Sequence, residues 1–225
     1  MAHLKRDIFY HLYITGLMLF KPATLFHKIN SLPWYQQTLQ QWFASLQAEA
    51  GSAILEVGCA TGQLTEHIGR QGMNVVGVDY SARMLKLAEK SSSRNVRFER
   101  ANALSLPFEA NQFDQVIAAS LLNVLPQPVF ALNEMVRVCK PGGKISVLVP
   151  LAGMSDQAVA MLASELKLSG FSRAVFSTWH RRAPKMQQAK LLQYFTNTGL
   201  RNIECITYLN GMVVTVTGTI PYGRE

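Results

Sequence analysis

The 225-residue sequence predicts a doubly wound α/β domain: a mostly parallel seven-stranded sheet that ends in an antiparallel C-terminal hairpin and is preceded by an N-terminal helical cap. Three observations carry this prediction. From Ala53 onward, short apolar runs alternate with amphipathic stretches of helical length, the rhythm of parallel strands joined by crossover helices. The first run ends in a glycine-bearing turn, Gly58-Cys59-Ala60-Thr61-Gly62, at the place where such sheets bind ligands. Near the C-terminus, Asn210-Gly211 separates two β-rich stretches, a strong hairpin signal.

Taken in order, the chain opens on a strongly apolar stretch, Ile8–Phe20, behind Lys5 and Arg6. It is shorter than the roughly 20 residues a membrane-spanning helix needs. Phe20-Lys21-Pro22 offers no small-residue cleavage site, so a secretory leader is not indicated. We read the segment as a cap over the domain or a surface that meets lipid, and the protein as cytoplasmic. Pro33 suits a first helical turn, and Tyr35, Leu39, Trp42, Phe43 and Leu46 follow at helical spacing. Residues 1–50 are therefore expected to form the cap and 51–225 the main domain, with 151–184 as an insertion. In the main domain the predicted strands are 53–57, 74–79, 96–100, 113–119 and 144–149. Helices are expected at 63–70 and at 81–91, the latter capped by Ser81. A further helix buries Leu132, Met135, Val136 and Cys139 and stops at Pro141-Gly142-Gly143. Strands at 203–208 and 212–217 close the hairpin.

Composition narrows the class. Hydrophobic residues make up 48% and charged residues 16%, enough apolar surface for a sizeable core and too little charge for global disorder. The formal charge of +8 points to an anionic partner such as a membrane surface or nucleic acid, although a basic surface also serves solubility alone. Cys59, Cys139 and Cys205 are widely spaced and form no CxxC pair, which argues for a reducing compartment and against a zinc site or a disulfide framework. No cluster of His, Cys, Asp or Glu has metal-ligand spacing, so no metal is expected.

The site follows from topology. Gly58 permits the sharp turn off the first strand, Gly62 lets the next helix pack close to the ligand, and that helix start presents N–H groups to an anion. Asp79 ends the second strand 21 positions after Gly58, where such folds place a carboxylate for two ribose hydroxyls. A nucleoside ligand is implied. A dinucleotide site would carry a second glycine at the position of Ala60, so a nicotinamide oxidoreductase is disfavoured, and a non-catalytic nucleoside or nucleic-acid binder stays as an alternative.

The segments ILEVGCATGQLTEHI, VVGVDYSARMLKLAEK, VRFERANALSLPFEANQFDQVIAAS and ALNEMVRVCKPGGKISVLVP resemble, in order and spacing, the motifs of class I S-adenosylmethionine-dependent methyltransferases, whose fold is Rossmann-like. The likeness covers about Gly51 to Pro150 and is greatest to the type 11 methyltransferase family, which includes quinone-biosynthesis C-methyltransferases. It implies S-adenosylmethionine as cofactor. It also implies that Gly58, Cys59 and Gly62 face its methionine part, that Glu56 orders the loop and favours the positive end, and that Asp79 takes the ribose hydroxyls. Tyr80 would pack on the adenine with Met84 nearby. Asn102, where the family often has Asp, would accept from the adenine amino group, and Ala103 would donate a backbone N–H. Ser120 and Leu121 would lie beside the sulfonium and its methyl.

Base-amine methyltransferases typically carry an Asn/Asp-Pro-Pro-aromatic stretch after the fourth strand. Here that stretch reads Ala119-Ser120-Leu121-Leu122-Asn123-Val124, so a nucleic-acid acceptor is disfavoured. The apolar N-terminus suits a small, hydrophobic or lipid-like acceptor and a peripheral membrane contact. Ile8–Phe20 and 151–184 are expected to roof the pocket together. No catalytic residue is assigned. If the acceptor must lose a proton, His180 and His11 are the candidate bases by residue type.

Overall fold

The computed structural model describes residues 2–91 and 93–223. Its strands are β1 (Ala53–Val57), β2 (Asn74–Asp79), β3 (Val96–Arg100), β4 (Phe113–Ala119), β5 (Cys139–Pro150), β6 (Arg201–Tyr208) and β7 (Val213–Thr219). They form one sheet in the order β3-β2-β1-β4-β5-β7-β6. β1 to β5 run parallel, and β7 lies antiparallel between β5 and β6. The helices are α1 (Ala2–Phe20), α2 (Pro22–Asn30), α3 (Pro33–Ser45), α4 (Gln63–Arg70), α5 (Ala82–Ala88), α6 (Pro128–Val138), α7 (Asp156–Glu165), α8 (Gly170–Arg182) and α9 (Gln188–Asn197).

The first four strands and α4 occupy the ranges read from the sequence, and Ser81 caps α5 by accepting from the Met84 amide. Two readings need correction. Pro141-Gly142-Gly143 does not precede β5 but lies inside it: between the pairings Phe113–Cys139 and Gln115–Lys144 the strand bulges, and Gly142 and Gly143 exchange backbone hydrogen bonds with Ile220. The hairpin turn is also longer than Asn210-Gly211. Tyr208 pairs with Val213, and Leu209, Asn210 and Gly211 all take positive φ. β7 pairs with β5 and β6, and β6 is the antiparallel edge on which the sheet finishes, as the hairpin signal predicts.

Side chains alternate across the pleat into two cores. Leu55, Val57, Val116, Val147 and Val216 face α6 and α9 through Leu132, Met135, Leu191 and Phe195. Ile54, Val75, Ile117, Leu148 and Val213 face α3, α4, α7 and α8 through Trp42, Phe43, Ile68, Leu162 and Phe176. Trp42 is fully buried, and its indole N–H donates to Ser146 Oγ at 2.8 Å, while Ser146 and Thr217 share a hydrogen bond of 2.7 Å. α3 is thereby tied directly to the sheet.

The chain builds outward from β1 to β3 and then crosses back to place β4 on the other side of β1. That reversal separates the loops leaving β1 and β4, and their carboxyl ends open the crevice in which an α/β sheet takes its ligand.

Candidate active site

Two adjoining cavities occupy this crevice. One, of about 210 Å³, is lined by Glu56, Cys59, Met84, Ser120, Tyr35 and Leu39, with Phe26 and Asn30 of α2 at its rim. The other, of about 340 Å³, is lined by Tyr80, Ala101, Asn102, Ala103 and Leu125. Gly58, Asp79 and Leu121 border both. A side chain at Gly58 would crowd Leu121, 3.1 Å away, so only glycine lets the β1 and β4 loops approach this closely.

The loop after β1 is stitched to the end of β2. The amides of Gly58 and Cys59 donate to the Val78 carbonyl, and the Ala60 amide donates to Asp79 Oδ2 at 2.9 Å. Asp79 Oδ1 accepts from the Ser81 amide at 2.8 Å. The carboxylate is thus oriented by two backbone donors before any ligand arrives, and its remaining lone pairs face the shared border of the cavities. Asn102 Oδ1 accepts from the Leu104 amide at 3.0 Å, which holds its side chain against the second cavity. Tyr80 is 69% exposed, with the Arg100 guanidinium 5.4 Å from its ring centre, and it forms an open lip of that cavity.

Gly62 lines neither cavity. A Cβ there would sit 2.6 Å from the Phe98 ring and 2.8 Å from Ala88, and its φ is +77°, so its glycine serves the packing of α4 on the sheet. Every other residue singled out for the cofactor lines one cavity or both.

Glu56 is buried, and its carboxyl is pushed up to about 7, chiefly by burial, while the hydrogen bond from Thr65 Oγ1 opposes the rise and the nearby Asp79 adds to it. Burial also holds the Cys59 thiol well above its ordinary range, so at neutral pH it is an uncharged small side chain. Ser120 has φ +52°, a conformation that costs a non-glycine residue energy, and its solvent-shielded hydroxyl interacts with the Tyr35 phenol at the cavity wall.

The raised Glu56 carboxyl has a testable consequence. The folded protein binds a proton there that the unfolded chain releases above about pH 4.3, so stability falls as pH rises from that point through 7. Glu56→Gln removes this penalty, on the order of 3 kcal/mol at most. Melting curves at pH 5 and pH 8 without ligand are expected to differ less for Glu56→Gln than for the parent protein. S-adenosylmethionine carries a net positive charge that favours the ionised form, so the parent protein should bind it more tightly at pH 8 than at pH 5.5, and Glu56→Gln should lose most of that dependence. Equal pH dependence in both proteins would refute the assignment.

The roof differs from expectation. Among the described residues, neither α1 nor 151–184 contributes a lining side chain; Phe26 and Asn30 of α2 and Tyr35 and Leu39 of α3 do. Gln63 at the start of α4 holds α2 in place, 2.9 Å from His27 Nδ1, and accepts from Thr61 Oγ1 at 2.7 Å. Sequence periodicity marked Tyr35 and Leu39 as a buried helix face but carried no sign that they border a cavity. His180 is buried on α8 with Nε2 3.3 Å from Asp156, and His11 contacts Arg181; both lie away from the two cavities. Among the described residues, no three His, Cys, Asp or Glu side chains gather to hold a metal ion.

Residues 55–147 match the family profile described as a methyltransferase domain. The chain is 26% identical to a demethylmenaquinone methyltransferase of Shouchella clausii, over 90% of its own length and 93% of the relative's. It is 35% identical to one of Staphylococcus carnosus over 54% of each chain, so the chain matches only about half the length of that relative. Among solved structures, an S-adenosylmethionine-dependent methyltransferase of Methanococcus maripaludis, described as putative, shares the fold with a TM-score of 0.69 at 16% identity, covering 91% of this chain and 94% of that one.

Proposed function

We propose that the chain is a class I S-adenosylmethionine-dependent methyltransferase whose acceptor is a small hydroxylated aromatic ring with an apolar substituent, of the demethylmenaquinol kind, methylated on carbon. The observation that carries this reading is the smaller cavity. Away from Glu56, Asp79 and the polar side chains of Asn30, Gln63, Ser81 and Ser120, its walls include Phe26, Tyr35, Leu39, Leu121 and Val124, an aromatic and aliphatic slot. The demethylmenaquinone methyltransferases among the relatives support the same acceptor class.

The cavity residues fit the cofactor. Asp79, fixed by the Ala60 and Ser81 amides, would accept the two ribose hydroxyls. Tyr80, Asn102 and Ala103 would border the adenine, and Glu56 would face the positive end across the Gly58–Cys59 turn. S-adenosylmethionine supplies a methyl group already activated on a sulfonium. The protein's part is to hold the acceptor carbon about 3–3.5 Å away and in line within a dry cavity, an effect worth roughly 7–11 kcal/mol. Burial raises the Tyr35 phenol above its ordinary value, so at neutral pH it stays protonated and is suited to donate a hydrogen bond to a ring oxygen of the acceptor.

We place residues 1–50 as a cap over this site, with 151–184 as an insertion that braces it, and the enzyme in the cytoplasm against a membrane surface. Among the described residues no helix is long and apolar enough to cross a membrane.

The test is turnover with a reduced demethylnaphthoquinone acceptor, read by mass spectrometry as the gain of one methyl. Tyr35→Phe is expected to slow turnover about tenfold and leave S-adenosylhomocysteine affinity unchanged. Methylation of an amine acceptor with none of the quinol would overturn the proposed class.

A further inference from the structure

We propose that the groove between α1 and α8 binds the headgroup of an anionic phospholipid, with the outer face of α1 lying in the membrane surface. The groove, about 410 Å³, sets Ile14, Met18 and Leu19 of α1 opposite Thr178, Arg181 and Arg182 of α8. The α1 wall is mainly apolar, with His11 and Thr15 beside the aliphatic side chains, and the α8 wall carries two guanidinium groups. None of the described residues lining it is acidic. Arg181 donates to His11 Nε2 at 2.9 Å, which holds its guanidinium at the groove. The Thr178 hydroxyl is shielded from solvent and has no hydrogen-bond partner, a donor left over in the fold. A phosphodiester satisfies all three groups: its oxygens take the arginine forks and the hydroxyl, and its acyl chains lie along the apolar wall.

The flank of the groove gives the reason for a membrane source over a soluble anion. Phe9, Leu12, Leu19 and Phe20 are 61%, 69%, 71% and 80% exposed, and at 100° per residue they fall on a single helical face. Inward of that stripe, Ile14 is buried and Tyr10 packs on Phe171 of α8, so the helix is anchored while the stripe is left facing out. Lys21 and Lys28 add positive charge at the start of α2 and near its end. Apolar area together with basic charge is the pair of signals that stable peripheral binding requires. A soluble phosphate would make no use of the stripe. α2 follows α1 directly, and its Phe26 is both 40% exposed and part of the catalytic cavity's wall. On the acceptor reading above, a lipid-like substrate would pass from the membrane to the cavity across this helix, but the groove's own binding is tested without acceptor or cofactor.

The full chain is sedimented with phosphatidylcholine vesicles that contain or lack phosphatidylglycerol. Binding to the anionic vesicles is expected to be at least tenfold tighter, since each basic side chain near such a surface contributes appreciably. Arg181→Gln with Arg182→Gln should reduce it by about thirtyfold. Thr178→Val, which leaves the charge unchanged, should weaken it several-fold, roughly the loss of one hydrogen bond. Leu12→Asp with Leu19→Asp should abolish binding to both vesicle types. Calorimetry with S-adenosylhomocysteine should read the same for all these variants, which separates failure here from failure of the methyltransferase site. Full retention of binding by Arg181→Lys with Arg182→Lys would leave only a diffuse basic surface and overturn the groove. Complete competition by inorganic phosphate would assign it to a soluble anion, and a stable dimer that binds no vesicles would assign the stripe to a second copy of the chain; either result overturns the proposal.

Discussion

Asp79→Ala is expected to weaken binding of S-adenosylhomocysteine by about 100-fold, or roughly 2.7 kcal/mol. Two contributions add. The carboxylate is the charged acceptor at the border of both cavities, and a hydrogen bond to a charged group contributes about 1.5–3 kcal/mol. It also holds the loop itself, through the Ala60 amide at 2.9 Å and the Ser81 amide at 2.8 Å. Ala60 has φ +48°, a conformation an alanine keeps only while its surroundings hold it. Without Asp79 the turn should relax and the ligand must reorder it on binding. Asp79→Asn retains size and one acceptor, and should fall between the two. Isothermal titration calorimetry measures the affinities, and circular dichroism confirms that the unliganded fold survives. An affinity within about threefold of the parent's would show that the carboxylate does not hold the ligand.

Trp42→Ala is expected to destabilise the protein by about 3–5 kcal/mol. The indole is fully buried in the core between α3 and the sheet, and its loss leaves a cavity there. In a domain of this size each kcal/mol lowers the melting temperature by roughly 2–4 °C, so a fall on the order of 10 °C should be seen. Trp42→Phe separates packing from polarity. It keeps most of the apolar volume and removes the N–H donated to Ser146, and should cost about 1–2 kcal/mol more than a volume-conserving swap alone. Ser146 retains Thr217 as a partner at 2.7 Å, which limits that loss. The consequence reaches the site, because Tyr35 and Leu39 lie on the same face of α3 as Trp42 and form the cavity wall. The acceptor KM of Trp42→Ala should therefore rise more than the cofactor's. A loss of stability below about 1 kcal/mol would mean that α3 is not an integral layer of the fold.

What the sequence alone determined is local. β1 to β4 and α4 could be delimited because the shift between a period of 2 and a period of 3.6, and the turn residues between them, are written within a few residues of each boundary. The Gly58 turn and Asp79 were legible for the same reason. They end adjacent parallel strands, so pairing β1 with β2 brings them together with little freedom. Glu56, Cys59, Tyr80, Asn102, Ala103, Ser120 and Leu121 were marked by the family resemblance, and each sits at or just beyond the carboxyl end of a strand and lines a cavity.

Only the tertiary structure decided what depends on segments far apart in the chain. Nothing near Gly62 announces that its missing side chain makes room for Phe98 and Ala88, which come from β3 and α5. The Pro141-Gly142-Gly143 signal has the chemistry of a stop, yet Ile220 draws it into a bulged strand. Phe26, Asn30, Tyr35 and Leu39 become the roof, and His11 and His180 are carried away from it, because α2 is tied to α4 through His27 and Gln63 while α1 packs on α8. Those crossings depend on which helix faces find complementary surfaces, and the periodicity of one helix shows that it has a buried face but not what that face meets.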